Sequence, residues 1–229
     1  MEEEGKEEMN PVYIAGGIAL ALILLGSSNH MSLNTEEIKR LKNYGSSFGL
    51  KFDKWTLLTI RGATLSDKGT ISKNKNVLNE WNDLFVLIKG NEAKAWKGTT
   101  DPGKKYSVNP KVTAGAFRIL PGLYYYQSGL HDGKDAFVSA SPISGLRDGN
   151  KDLIWDSTDK VYTDSVGNRF WINIHASYTG KYVDGTSAGC LALYHGWNSS
   201  EWKEFRDTLK VEYGKQKFPV LVLESKVLT

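Results

Sequence analysis

From residue 50 onward the chain repeats one pattern, a short run of β-forming residues followed by a cluster of Gly, Asn, Asp or Ser. Trp55–Arg61 and Asp83–Lys89 are almost unbroken runs of Leu, Ile, Val, Phe and Thr, Glu92–Lys97 alternates, and Ala116–Leu120 leads into Pro121-Gly122. Runs of about four to eight such residues with turn residues between them read as strands and exclude a helix bundle. Further strands are predicted at 123–127, 136–139, 169–175, 189–193 and 218–224. The 23 Gly of the chain suit so many turns. Two helices interrupt the pattern. Residues 32–45 are amphipathic, with Asn34 or Thr35 as cap, Glu36 and Glu37 in the first turn, Lys39, Arg40 and Lys42 toward the last, and Gly45 closing it. Residues 198–209 place Trp202 and Phe205 inward after Ser199 or Ser200. The expected fold class is mainly β with a few helices.

The N-terminus is different in kind. Residues 1–10 hold five Glu and one Lys, an acidic leader, and Pro11–Gly26 carries no charge at all. With its uncharged flanks that stretch approaches the ~20 residues of a membrane span, and it has no polar face. A single membrane-type helix over residues 11–29 is therefore expected as an anchor. An acidic leader does not match a secretory signal, whose first region is basic. The organisation read from the chain is leader 1–10, anchor helix 11–29, linker helix 30–49 and one domain over 50–229. The charges that follow the anchor include Lys39, Arg40 and Lys42, which by the positive-inside rule would hold the body in the cytoplasm.

Net charge is +3, and because the leader contributes −4 the remainder carries +7. A mildly basic body suits an anionic partner such as a wall polymer or a membrane surface. No Lys/Arg run is dense enough to point to nucleic acid. With 1 Cys, an internal disulfide is excluded. The 4 His and the Cys show no His-x-x-x-His or Cys-x-x-Cys spacing, so no metal centre and no cofactor are expected from them. Asp148 and Asp152 lie in a Gly/Asn-rich stretch and read as turn residues.

The chemistry concentrates between Phe170 and Leu193. His175 ends an alternating strand, and Cys190 opens the next after a loop rich in Gly, Thr and Ser. Neighbouring strands joined in this way bring the two side chains to one end of a sheet. A thiolate is a strong nucleophile, and an adjacent imidazole can take its proton and later return it to a leaving amine. Gly189 permits a tight turn, and the amides of Gly189 and Cys190 are candidate oxyanion donors. Spacing alone leaves open a satisfied strand-end His175 and a small buried Cys190. His195 falls on the opposite face of the Cys190 strand by alternation, which favours His175 as the base.

The order His175, loop, Ser187-Ala-Gly-Cys190 resembles the catalytic stretch of the L,D-transpeptidase (YkuD-like) family. The chain is more similar to phage-borne members, through Gly98-Thr-Thr-Asp-Pro-Gly103, Pro121–Tyr124, Gly129-x-His131 with Lys134, Arg147-Asp148, Asn173-Ile-His175 and Ser187–Cys190. The likeness spans about residues 94–195. It implies a β catalytic domain in which Cys190 attacks an amide of the peptidoglycan stem peptide, with His175 as base and Ser187 and Gly189 in the nucleophile turn. The acyl group then passes to an amine (cross-linking) or to water (cleavage), and the phage-like character favours a lysin. His131, Arg147 and Asn173 are the candidate substrate contacts, Arg147 because its guanidinium matches a carboxylate. Ala188, Leu191 and Ala176 depart from the family, at positions where relatives carry His, Arg, and Arg or Gly. They keep a non-catalytic wall-binding or virion structural protein in view. The partners so implied are stem peptides, a membrane through residues 11–29 and other virion proteins, with the body facing the wall or carried in a phage particle.

Overall fold

The computed structural model describes residues 30–178 and 180–228. The leader and the anchor helix expected at 11–29 lie outside them. Among the described residues no helix is long and apolar enough to cross a membrane.

The elements run α1 (Thr35–Ser46), β1 (Thr56–Arg61), β2 (Ala63–Leu65), β3 (Ile71–Lys73), β4 (Asp83–Lys89), β5 (Glu92–Thr99), α2 (Lys104–Val108), β6 (Phe117–Ile119) and β7 (Gly122–His131). They continue with β8 (Lys134–Ser139), β9 (Ile143–Arg147), β10 (Lys160–Asp164), β11 (Ile174–Ser177), β12 (Leu191–Gly196), α3 (Ser200–Tyr213) and β13 (Phe218–Glu224). Eight strands close a barrel in the order β1-β13-β7-β8-β11-β12-β5-β4, while β10-β9-β6 and β2-β3 form two small sheets beside it.

Why the central strands lack polar alternation is plain from their two faces. Leu57, Phe85, Leu87, Val220 and Val222 belong to the main core with Trp202, Phe205 and Leu209 of α3. Their alternate neighbours Leu58, Ile60, Val86, Leu221 and Leu223 join a second core with Ile38 and Leu41 of α1. A strand buried on both sides needs apolar residues at every position. The segment expected to be a linker helix is thus packed onto the barrel wall. Asn34 caps α1 by accepting from the Glu37 amide at 2.9 Å, and Glu37 accepts from the Ile71 amide at 3.2 Å. Ser199 caps α3 in the same way through the Trp202 amide at 3.1 Å.

A buried charged network fixes the segment that carries Asp101. Arg61 and Arg118 both approach Asp101 Oδ1 at 2.8 Å, and Arg61 also pairs with Glu224 at 2.7 Å. Asp83 accepts from the amides of Gly62 (2.7 Å) and Thr100 (2.6 Å). Burial, with Asp101 close by, pushes the Asp83 carboxyl up to about 6. The network sets the course of Thr99–Gly103, and the Gly103 amide donates to the Ser187 carbonyl at 2.9 Å. A Cβ on Gly103 would stand 2.1 Å from the Asp184 carbonyl oxygen, so only glycine lets the two segments touch. Gly103→Ala is therefore expected to lower stability by about 1–3 kcal/mol, measured by urea unfolding, and to displace the turn that ends at Cys190.

Candidate active site

Parallel pairing of β11 with β12 sets Ile174 beside Leu191 and His175 beside Ala192. Ile174, Ala176, Leu191 and Leu193 enter the main core, so alternation turns Asn173, His175, Cys190 and Ala192 to the outer side of the barrel wall. Ala192 accordingly sits in a separate cluster with Trp81 and Val183. β11 begins at Ile174 and β12 at Leu191, later than the expected strands at 169–175 and 189–193. Two left-handed residues explain the delay, Trp171 (φ 54°) and Gly189 (φ 124°). A Cβ at 189 would meet the Phe117 carbonyl oxygen at 2.5 Å.

The ligand-capable atoms of His131, His175 and Cys190 lie within 4.8 Å of one another. His131 arrives from the end of β7, two strands from β11 in the barrel, and its ring stacks on His175 at 4.1 Å and 9°. His175 Nδ1 lies 2.7 Å from the Ala176 carbonyl, which places the proton on Nδ1 and leaves Nε2 as a base. Nε2 is buried and has no hydrogen-bond partner among the described residues. The Asn173 amide donates to His131 Nδ1 at 3.1 Å, and His131 Nε2 faces Asp132 at 3.7 Å. Because the two imidazoles are parallel, their in-plane lone pairs do not converge on one point as ligands of a shared metal would.

Burial dominates the electrostatics. It pushes His175 down to about 3, helped by the adjacent His131, and pushes the Cys190 thiol up to about 11. Moving the proton from sulfur to nitrogen in the free site costs on the order of 10 kcal/mol before the attraction of the resulting ion pair is counted. The resting site is therefore a neutral thiol beside a neutral imidazole, and the thiol donates to the Trp171 carbonyl at 3.1 Å. Chemistry here requires the proton to leave as the new bond forms.

Ser187 and Gly189 shape the turn without touching the sulfur. Ser187 Oγ donates to the Cys190 carbonyl at 2.8 Å and accepts from the Gly189 amide at 3.1 Å. The Gly189 amide is thus occupied, which corrects its expected role at an oxyanion. The Cys190 amide has no acceptor among the described residues and is the donor left for that task.

A cavity of about 510 Å³ opens over Cys190. Lys111, Arg147 and Arg169 line it, against a single carboxylate from Asp132. Arg147 ends β9 opposite Phe117 of β6, lies 5.2 Å from the centroids of both Phe117 and Phe170, and donates to the Gly115 carbonyl at 2.9 Å. Trp171, 64 % exposed, stands at the mouth. The comparisons with known proteins add nothing to this site. No protein-family model, curated protein or solved structure matches the chain. Of the residues expected from sequence, Cys190, His175, His131 and Asn173 come together, Arg147 lines the same cavity, and His195 lies apart beside Glu201 at 3.5 Å. Trp171, Lys111 and Arg169 were not expected. A loop cation and an aromatic in a left-handed conformation carry no periodic signal, and only the fold gathers them.

Proposed function

We propose that the chain is a cysteine-dependent enzyme of the bacterial cell wall that attacks a stem-peptide amide through an acyl-enzyme on Cys190. The observation that carries the proposal is the meeting of His131, His175 and Cys190 within 4.8 Å, with His131 and Cys190 lining a cavity rich in cations and His175 buried behind them. Sulfur adds to the amide carbonyl while its proton passes to His175 Nε2. The Cys190 amide faces the developing oxyanion. The carbon–nitrogen bond then breaks, and His175 returns the proton to the departing amine. Water or a second amine attacks the thioester and frees the thiol, which distinguishes a lysin from an L,D-transpeptidase; the phage-like motifs favour the lysin.

The resemblance to the L,D-transpeptidase family supports this reading, and two of the three departures bear on it little. Leu191 and Ala176 are fully buried in the main core and face away from the cavity. Only Ala188 lines it. Residues 11–29 would tether the enzyme to a membrane with its body toward the wall only against the positive-inside bias of Lys39, Arg40 and Lys42, or the chain would travel in a phage particle, where that bias does not apply, beside other virion proteins.

Arg147 is assigned to a substrate carboxylate, with Lys111 and Arg169 adding to the local field. Arg147→Ala is expected to lower kcat/KM by about 10–100-fold on a stem peptide with a free carboxylate. The penalty should vanish on the same peptide carrying a carboxamide, and an equal loss on both substrates would remove the assignment.

A second reading, a wall-binding or virion structural protein that retains the fold, is favoured by one observation. The thiol rests on a backbone carbonyl with its pKa raised, which suits an inert buried cysteine as well as a nucleophile awaiting substrate. Mass analysis of purified peptidoglycan after incubation with the chain separates the readings. Shortened or exchanged peptides support the enzyme, and an unchanged profile over several wall types supports the binding protein.

A further inference from the structure

We propose that His131 is a positioning residue for His175, a neutral imidazole whose face backs the ring that takes the Cys190 proton. The inference rests on the Cys190–His175 pair proposed above and gives His131 a role other than substrate contact.

Both nitrogens of His131 face partners within the protein. The Asn173 side-chain amide donates to Nδ1 at 3.1 Å, and Nε2 faces Asp132 at 3.7 Å. Asp132 is held in turn by the Tyr178 hydroxyl, which donates to it at 2.8 Å. A ring nitrogen that accepts from an amide has its lone pair in use, so the His131 proton sits on Nε2, toward the carboxylate. Burial also lowers the proton affinity of this ring, with Lys111 and Lys134 adding to the effect and Asp132 opposing it. What His131 still offers is a ring face, and that face lies on His175 at 4.1 Å and 9°.

The strand explains how the rings meet. Asn173 and His175 are two residues apart in extended chain, so their side chains project to the same side. Asn173 is fully buried, and its amide pins the ring arriving from β7 over the next residue of its own face, which is His175.

The chemistry asks for such a support. His175 Nδ1 is engaged by the Ala176 carbonyl, so a proton from Cys190 goes to Nε2 and makes a cation at a fully buried position. A cation is attracted to the face of a neutral aromatic ring, most strongly where water is excluded. A charged His131 would instead oppose it, since a cation there lowers the proton affinity of His175. Fixing His131 as the neutral tautomer turns a repulsive neighbour into an attractive one. The resting thiol and imidazole are uncharged and gain little from the contact, so it favours the proton transfer itself.

The test uses the full-length chain in mild detergent and needs no wall substrate. Nitrogen-15 NMR of the histidine rings at neutral pH reads the tautomers, assigned through the His131→Phe and His175→Gln spectra. The expected result is a proton on Nε2 alone for His131 and on Nδ1 alone for His175. A proton on His131 Nδ1, with the Asn173 amide turned about, would overturn the proposal, and so would a doubly protonated His131. The second readout is the rate at which iodoacetamide alkylates Cys190, followed by intact mass. Here sulfur bonds to carbon, iodide leaves, and the thiol proton passes to His175. His131→Phe keeps a neutral ring face and should stay within about threefold of wild type, while His131→Leu keeps bulk without the face and should fall by about tenfold. In a His175→Gln background the Leu change should cost nothing further, because the support acts through His175. Equal rates in the Phe and Leu variants, or a further loss in that background, would overturn the proposal. Should a variant fail to fold, the wild-type tautomers still decide. Alkylation in this order without any release of wall peptides would leave the inference standing and end the peptidoglycan reading, so the two fail separately.

Discussion

Cys190→Ala is expected to reduce the release of peptides from peptidoglycan by about 10⁴-fold or more, because in the proposed reaction the Cys190 sulfur forms the acyl bond. Stability should change by less than about 1.5 kcal/mol, since the substitution deletes one sulfur from a position beside a cavity. His175→Gln should cut turnover on a similar scale, and Cys190→Ala combined with His175→Gln should fall no further than the worse single variant. Groups that act as one unit show this non-additivity. Comparison of purified single and double variants by chromatographic peptide release checks both statements. Multiplying losses would mean that the two side chains act separately, and a Cys190→Ala protein with full activity would move the chemistry elsewhere.

Acid should destabilise the protein through His175. The ring is fully buried with a pKa lowered from 6.5 to about 3, so below pH 6.5 the unfolded chain binds a proton that the folded chain does not. The His175 contribution is complete above pH 6.5 and is lost as pH falls toward 3, a change on the order of 5 kcal/mol across the window. Asp83 acts in the opposite sense, since its raised pKa gives stability at low pH that is lost as pH rises through about 6. The wild-type curve therefore mixes two opposed slopes. The clean comparison is urea unfolding of wild type and His175→Gln from pH 7 to pH 4, where the variant should lose much less stability on acidification. Parallel curves would mean that His175 already accepts a proton in the folded state.

The sequence made the two-faced strands easy to find. Phe218–Glu224 and Asp83–Lys89 are buried on both sides, so nearly every residue reports its environment, and both appear with the expected bounds. The short β9 and β10 were not foreseen, because Gly145 and the Asp/Asn-rich flanks imitate loop. The starts of β11 and β12 were placed too early, since nothing in the residue type of Trp171 announces a left-handed backbone. In the candidate site, His175 and Cys190 were readable because they flank one loop. His131 was legible as a candidate substrate contact through the resemblance, but its stacking on His175 was not, because it reaches that ring only through the β7–β8 hairpin and the pairing of β8 with β11. Contacts set by barrel closure leave no mark in local spacing.

The most direct test of the central claim is intact-protein mass spectrometry of the chain quenched in acid during incubation with purified disaccharide-peptide fragments of the wall. The account predicts a transient added mass equal to the acyl part of the substrate, mapped to the peptide containing Cys190 and absent from Cys190→Ala. Turnover without any adduct on Cys190, or an adduct that persists in Cys190→Ala, would contradict it.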